Sequence, residues 1–380
     1  MKILHTSDLH IGKRINDYSM VEDQRWVLGQ IVAIAREQQP DAIILAGDIY
    51  DKSVPSAEAV GLFDDFLVEL ALLGKSVFII SGNHDSAERI AFASRIMESS
   101  RVYLSPVYGG RIEPVVLREG DMEVAFYLLP FVKPSLVQHY APEGVEVHTY
   151  DEALRFAIEQ MGVDPGRRNV LVTHQFVTDA LRSDSEDIAV GGLDNIDVST
   201  FDAFDYVALG HLHRPQYCGR ETVRYSGSPM KYSFSEVEDC KSVTMVEIRG
   251  GEAPEVTERA LTPLHDWYDL RGTYAELADA AFYQGTDYQE GYVRITLTDE
   301  EDIPDGMRRL KAIYHRLMEL RYDNKRTRAG MTLIDKPMNA EQLSPDQLFG
   351  ELFEKQNAQA LTERQRDYLD SLIRNIFNKH

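Results

Sequence analysis

The chain has 380 residues, 43% of them hydrophobic and 27% charged, with a net charge of −22 and an isoelectric point near 4.9. It is long enough for two or three domains with their own cores, and it holds no apolar run of the eighteen or so residues that a membrane span requires. Its acidity argues against a general nucleic-acid coat protein, whose surface is basic, and residues 1–260, with 41 acidic against 24 basic side chains, are the more acidic part; such a half can still meet a phosphodiester if bound cations supply positive charge locally.

The opening MKILHTSD reads as a short apolar strand running into polar residues. Residues 20–38 have Val27, Leu28, Ile31, Ile34 and Ala35 at helical spacing, and Pro40 ends that helix. DAIILAGD at 41–48 is a buried strand, 57–73 a second helix stopped by Gly74, and SVFIISGNHD at 76–85 a third strand. A helix is expected over Ser86–Met97. Repeated strand–helix–strand units imply a parallel sheet with helices on its faces. Further strands are expected at 101–104, 115–118, 122–129, 169–174, 205–210, 222–226 and 242–249, with a helix at 151–161. They point to a second sheet packed on the first, a two-sheet α/β sandwich spanning residues 1–255. The polar, glycine-containing stretch 178–200 reads as a loop over the site.

GGEAPEV at 250–256 reads as a boundary. Beyond it, WYDLRG (267–272), a helix near 273–281, GYVRITLT (291–298), a helix near 304–318 and ELRY (319–322) make a small α+β capping domain at 260–322. A charged linker at 323–344 leads to a helical, amphipathic tail at 345–380, whose apolar stripe suits docking on a partner helix. Cys218 and Cys240 are too few for a disulfide framework, and no charged segment followed by an apolar stretch opens the chain, so a cytoplasmic location is expected.

Five polar clusters each follow an expected strand: DLH at 8–10, GDIYD at 47–51, GNHD at 82–85, TH at 173–174 and GHLH at 210–213. In an open α/β sheet ligands sit beyond the carboxyl ends of the strands, so the five should converge. The glycines before Asp48, Asn83 and His211 should let the chain bend as it leaves the sheet. Several histidines, two or more carboxylates and one amide suit borderline divalent ions better than Mg²⁺, which prefers oxygen and water. There are more donors than one ion needs, and an ion pair bridged by a carboxylate would use them all.

The order D-x-H, GD-x-x-D, GNHD, H and GH-x-H resembles the calcineurin-like metallophosphoesterase superfamily. The flanking ILHTSDLHIGK, VALGHLHRPQ and YSGSPMKYSFSE are similar to the SbcD family of bacterial nuclease subunits. The resemblance implies one metal held by Asp8, His10, Asp48 and His213 and a second by Asp48, Asn83, His174 and His211, with Asp48 as the bridge. It implies that His84 contacts the scissile phosphate and that Asp85 orients His84. The ions it implies are manganese. The partner it implies is an SbcC-type ABC ATPase with a coiled coil, met by residues 345–380. The substrate it implies is DNA, as duplex ends and hairpins, which would place the protein at the nucleoid when it acts. It also implies a homodimer through the helices near 57–73 and 86–97.

A bare D-x-H or T-H pair means little, G-D-x-x-D can be a capping turn, and GNHD can be a plain loop; the ordered set of five is what carries weight. Of the other histidines, His5 is the one placed to matter. Trp26 and Trp267 read as packing anchors, and Lys325, Arg326 and Arg328 as solvated linker charge. A phosphomonoesterase on the same fold, or a scaffold whose metals only stabilise it, are the competing functions.

Overall fold

The structure, a computed structural model, describes residues 1–177, 180–186 and 196–325, with Thr327 and residues 349–350, 353, 361–362, 365–366 and 368–369. The expected linker and helical tail lie almost wholly outside the described residues, as do Arg326, Arg328 and part of the 178–200 loop. The chain divides into two units, Met1–His265 and Asp266–His380.

Two six-stranded sheets build the first unit. In one, Lys2–Thr6, Ala42–Ala46, Ser76–Ile80 and Val102–Leu104 run parallel, while Ser242–Glu247 and Glu255–Ala260 add antiparallel at the edge. In the other, Arg220–Tyr225, Tyr206–Gly210, Arg168–His174 and Met122–Leu128 run parallel, flanked by antiparallel Gln216–Cys218 and Val115–Glu119. The central strands are buried along almost their whole length because both faces are covered. Ile3, Ile44, Phe78 and Ile80 of one sheet join Phe126, Val170, Val172 and Ala208 of the other in a shared core, where Phe78 stacks on Phe126 at 4.3 Å between ring centroids. The alternate residues Leu4, Ile43, Leu45, Val77 and Ile79 face the helices Val21–Gln38 and Ala57–Leu72. The helix Tyr150–Met161 covers the second sheet and begins in a Thr149–Glu152 capping box.

Three expectations shift. Ser86–Met97 is not one helix but two single turns, Ala87–Ile90 and Ser94–Met97, separated at a left-handed Ala93 (φ 61°). Only Ile90 of these turns is buried, so no apolar stripe holds a longer helix in place. The first unit runs beyond 255 because Glu255–Ala260 pairs with Ser242–Glu247. Residues 262–265 are then strapped to the first helix: Trp26 Nε1 and Gln30 Nε2 donate to the Thr262 carbonyl, and His265 lies 3.1 Å from Asp23. In the second unit the helix expected over 304–318 ends at Lys311, and Arg316–Tyr322 is a strand. Leu317 pairs with Val293 and enters that unit's core with Leu270, Ile295 and Tyr314, an apolar demand that outweighs helical continuation. That unit has a three-stranded parallel sheet of Trp267–Gly272, Tyr292–Leu297 and Arg316–Tyr322. Among the described residues no helix is long and apolar enough to cross a membrane.

Candidate metal centre

The five motif segments leave the carboxyl ends of Lys2–Thr6, Ala42–Ala46, Ser76–Ile80, Arg168–His174 and Tyr206–Gly210 and meet. The loops are tied to one another by backbone hydrogen bonds from Asp8 N to the Gly47 carbonyl (3.0 Å) and from His10 N to the Asp48 carbonyl (2.9 Å). Four of the gathered residues have left-handed backbone: Asp8 (φ 54°), His10 (43°), Asp48 (48°) and His211 (107°). Such conformations cost about 1–3 kcal/mol each in non-glycine residues and cluster where function demands a particular side-chain aim. Of the three glycines, only Gly47 has positive φ (89°). Gly82 and Gly210 are there for space, since a Cβ on Gly82 would lie 2.1 Å from Asp48 Oδ1 and one on Gly210 1.9 Å from the Ala46 carbonyl.

The donors form overlapping groups: Asp8 with His10 and His213, His10 with Asp48 and His84, and Asp8 with Asp48 and His174. His10 Nε2 is 3.0 Å from His213 Nε2 and 3.6 Å from Asp48 Oδ2, and Asp8 groups with His10 and His213. Asn83 Oδ1 is 3.1 Å from His174 Nε2 and 3.0 Å from His211 Nδ1, and His174 Nε2 is 3.4 Å from Asp48 Oδ2. Two donors bound at about 2.1 Å to one ion stand about 3.0 Å apart at a right angle and about 3.4 Å apart at the tetrahedral angle. Most of the observed spacings fall in the range that ligands sharing an ion would have, so the donors could hold ions. Asp8, His10, Asp48, His174 and His213 are buried, while Asn83, His84 and His211 border solvent.

The electrostatics also suit cations. Burial pushes His10 well below, and His211 down to about 3, so both rings are neutral with lone pairs available. Burial also acts on Asp48, yet His174 and its other imidazole neighbours hold it far below the usual carboxylate range. Against its own burial, His174 is raised to about 9 by Asp48 and then Asp8. Buried carboxylate charge here thus draws positive charge to itself. Asp8 is pushed up, chiefly by burial.

His174 Nδ1 donates to the Ala46 carbonyl (2.8 Å), which turns Nε2 toward Asp48. His84 packs edge-on against His10, with centroids 4.8 Å apart. The His84 ring has Nδ1 3.1 Å from the Asp51 carbonyl, which can only accept; this leaves Nε2 to face the site, 3.9 Å from Asp48 Oδ2. The Asp85 carboxylate accepts from the backbone N–H groups of Ile49, Tyr50 and Gly82 at 2.9–3.0 Å. It clamps the second and third loops together, and the carbonyl fixing the His84 ring is that of Asp51, the last residue of the GD-x-x-D motif. His5 is a packing residue: it is buried, with Nδ1 2.8 Å from the Tyr206 hydroxyl, and burial lowers it to about 3. Gln24 of the first helix is a support that the sequence does not reveal. Its Nε2 donates to the His10 carbonyl (2.7 Å) and its Oε1 accepts from Gly12 N (2.9 Å), holding the first loop.

Residues 1–215 match the calcineurin-like phosphoesterase family, and residues 262–357 match a family described as the type 5 capsule protein repressor C-terminal domain. A protein of Staphylococcus epidermidis, named as the D component of the nuclease SbcCD, is 35% identical over 324 residues, covering 84% of this chain and 85% of that one. Its namesake in Staphylococcus saprophyticus is 32% identical over 326 residues, 84% of each chain. The chain belongs to the SbcD family of calcineurin-like phosphoesterases. Among solved structures, a dimetal phosphatase from Danio rerio is similar at 12% identity with a TM-score of 0.42, over 69% of this chain and 97% of that one. As a member of this family the protein is a metal-dependent hydrolase of phosphoester bonds.

Proposed function

We propose that the protein is the nuclease subunit of an SbcCD-type complex, hydrolysing DNA phosphodiesters at a two-metal centre. The observation that carries this is the crowding of Asp8, His10, Asp48, His174 and His213 into overlapping donor groups, with His84 Nε2 on the more exposed side, 3.9 Å from Asp48 Oδ2. Asp8, His10, Asp48 and His213 would hold one ion and Asp48, Asn83, His174 and His211 the other. Mixed imidazole, carboxylate and amide donors favour manganese over magnesium. What the ions supply when bound is a lowered pKa for water and neutralisation of phosphoryl charge.

The chain's own residues do the rest. Asp48 Oδ1 accepts from the His84 backbone N–H (2.9 Å), fixing the bridge relative to the imidazole. His84 Nε2, with the ring held through Nδ1, contacts a phosphate oxygen and delivers a proton to the leaving oxygen. Asp85 keeps the two loops that carry Asp48 and His84 in register. Residues 345–380 dock on the coiled-coil base of an SbcC-type ATPase, a reading supported by their apolar stripe and by the names of the relatives. A homodimer through the 57–73 and 86–97 region is supported by exposed Val60, Val68, Leu72, Phe92 and Ile96, the last three at least 75% exposed.

A phosphomonoesterase on the same scaffold is the competing reading. Turnover of bis(p-nitrophenyl) phosphate against p-nitrophenyl phosphate separates the two. Diester hydrolysis lost in His84→Ala supports the nuclease; fast monoester hydrolysis without action on the diester overturns it.

A further inference from the structure

His213 is backed by a chain of polar groups that neither the motifs nor the family match assigns. Its Nδ1 lies 2.6 Å from Ser185 Oγ, and Ser185 Oγ lies 2.6 Å from Glu236 Oε1. The other carboxylate oxygen, Glu236 Oε2, pairs with Lys241 Nζ at 2.6 Å. Lys241 Nζ then returns to the same residue, donating to the His213 carbonyl at 2.7 Å. On the other side Glu186 Oε1 accepts from the His213 backbone N–H at 2.6 Å. Glu236 and Lys241 are both buried.

The proton positions follow from valence. Glu236, paired with an ammonium, is ionised and only accepts; Ser185 Oγ also lies 2.8 Å from Ser183 Oγ, but the Glu236 carboxylate is the nearer and the charged acceptor, so the single Ser185 O–H points to it. The Ser185 oxygen then accepts, and the atom that donates to it is His213 Nδ1–H. That tautomer leaves the Nε2 lone pair facing His10 Nε2 at 3.0 Å, inside the donor set. A buried ion pair adds little stability compared with an apolar pair of equal size, so stability alone does not account for Glu236 and Lys241. Both instead converge on the ring and the backbone of His213. His174 differs: its Nδ1 meets the Ala46 backbone carbonyl, and among the described residues no carboxylate backs that nitrogen.

We propose that Ser185 and Glu236 are positioning residues: a buried carboxylate–hydroxyl–imidazole relay that fixes the His213 tautomer and strengthens its hold on the ion of the Asp8–His10–His213 set. The relay rests on the two-metal reading above and adds to it a specific asymmetry. Its loss weakens one ion and spares the other.

The test is titration of the full chain with Mn²⁺ alone, followed by electron paramagnetic resonance and calorimetry, for wild type, Ser185→Ala, Ser185→Thr and Glu236→Gln. Ser185→Ala should lose about 10–100-fold in affinity for one ion. At a concentration that gives the wild type a spin-coupled pair, it should show the six-line spectrum of an isolated Mn²⁺. Ser185→Thr keeps the hydroxyl and should restore the coupled pair, and Glu236→Gln should resemble Ser185→Ala. Wild-type affinity at both ions in Ser185→Ala overturns the relay, as does an equal loss at both or a loss that Ser185→Thr does not restore. A wild type that binds no Mn²⁺ fails differently, because it removes the metal centre itself.

Discussion

Gly82→Ala adds one methyl group at the point where the third loop crosses the bridging carboxylate. The new carbon would lie 2.1 Å from Asp48 Oδ1, 2.5 Å from Asp48 N and 2.8 Å from Asp48 Cγ. Packed carbon atoms sit about 3.5 Å apart, so the carboxylate must retreat by more than about 1 Å. Gly82 is not in the left-handed region, so backbone strain adds nothing and the effect is steric. Asp48 Oδ1 also accepts from His84 N, so the retreat pulls the bridge away from the imidazole as well. Reactive constellations tolerate about 0.5 Å of misplacement, and a 1 Å error can lower the rate by about 100-fold. Overpacking of this kind destabilises by about 1–3 kcal/mol, far from enough to unfold a domain with two stacked sheets. Steady-state hydrolysis of bis(p-nitrophenyl) phosphate, with metal content by elemental analysis and a thermal melt, measures all three effects. The expected outcome is a folded protein with turnover reduced by about 100-fold and depleted metal. Gly82→Ala with wild-type turnover and a full metal complement would refute the placement of the bridge.

His84→Ala should retain its metals and lose about 10²–10⁴-fold in turnover, the span of a positioned acid–base group; metal content and kcat measured together check it. His174, raised from 6.5 to about 9 in the metal-free fold, keeps its proton at neutral pH and must release it to bind metal. Apparent affinity should therefore climb by about tenfold per pH unit below 9 and level off above it, with no such contribution from His10 or His211, which are already neutral. Calorimetry in two buffers of different ionisation enthalpy counts the proton. Ile96→Glu places a charge on a side chain 75% exposed in the single chain and should convert a dimer to monomer, read by sedimentation, with diester hydrolysis retained.

The core of each sheet was legible because short apolar runs such as AIILA, SVFII and YVALG lead into Asp, Asn or His, and the convergence of the donors followed from the parallel topology. The turn structure was less legible. Residues 86–97 carry helix-forming side chains but bury only Ile90 within the two helical turns, and helical propensity without an apolar face does not fix a helix. Residues 316–318 read as the end of a helix because nothing local shows that Leu317 will pair with Val293. At the site, the donors stood in motifs with fixed spacing, while their supports did not. Gln24, Ser185 and the Glu236–Lys241 pair reach the centre from a helix and from loops far apart in sequence, and although Glu236 closes the segment YSGSPMKYSFSE, no spacing rule joins it to His213. Asp85 stood in a motif, but that its carboxylate takes three backbone amides is a property of the folded loops alone.

Cleavage of end-labelled duplex and hairpin DNA by the full chain, in Mn²⁺, in Mg²⁺ and with chelator, beside His84→Ala, tests the central claim most directly. The account predicts cleavage with Mn²⁺, less with Mg²⁺, and none with chelator or in the variant. Cleavage that persists with chelator, or in a His84→Ala protein at the wild-type rate, would contradict it.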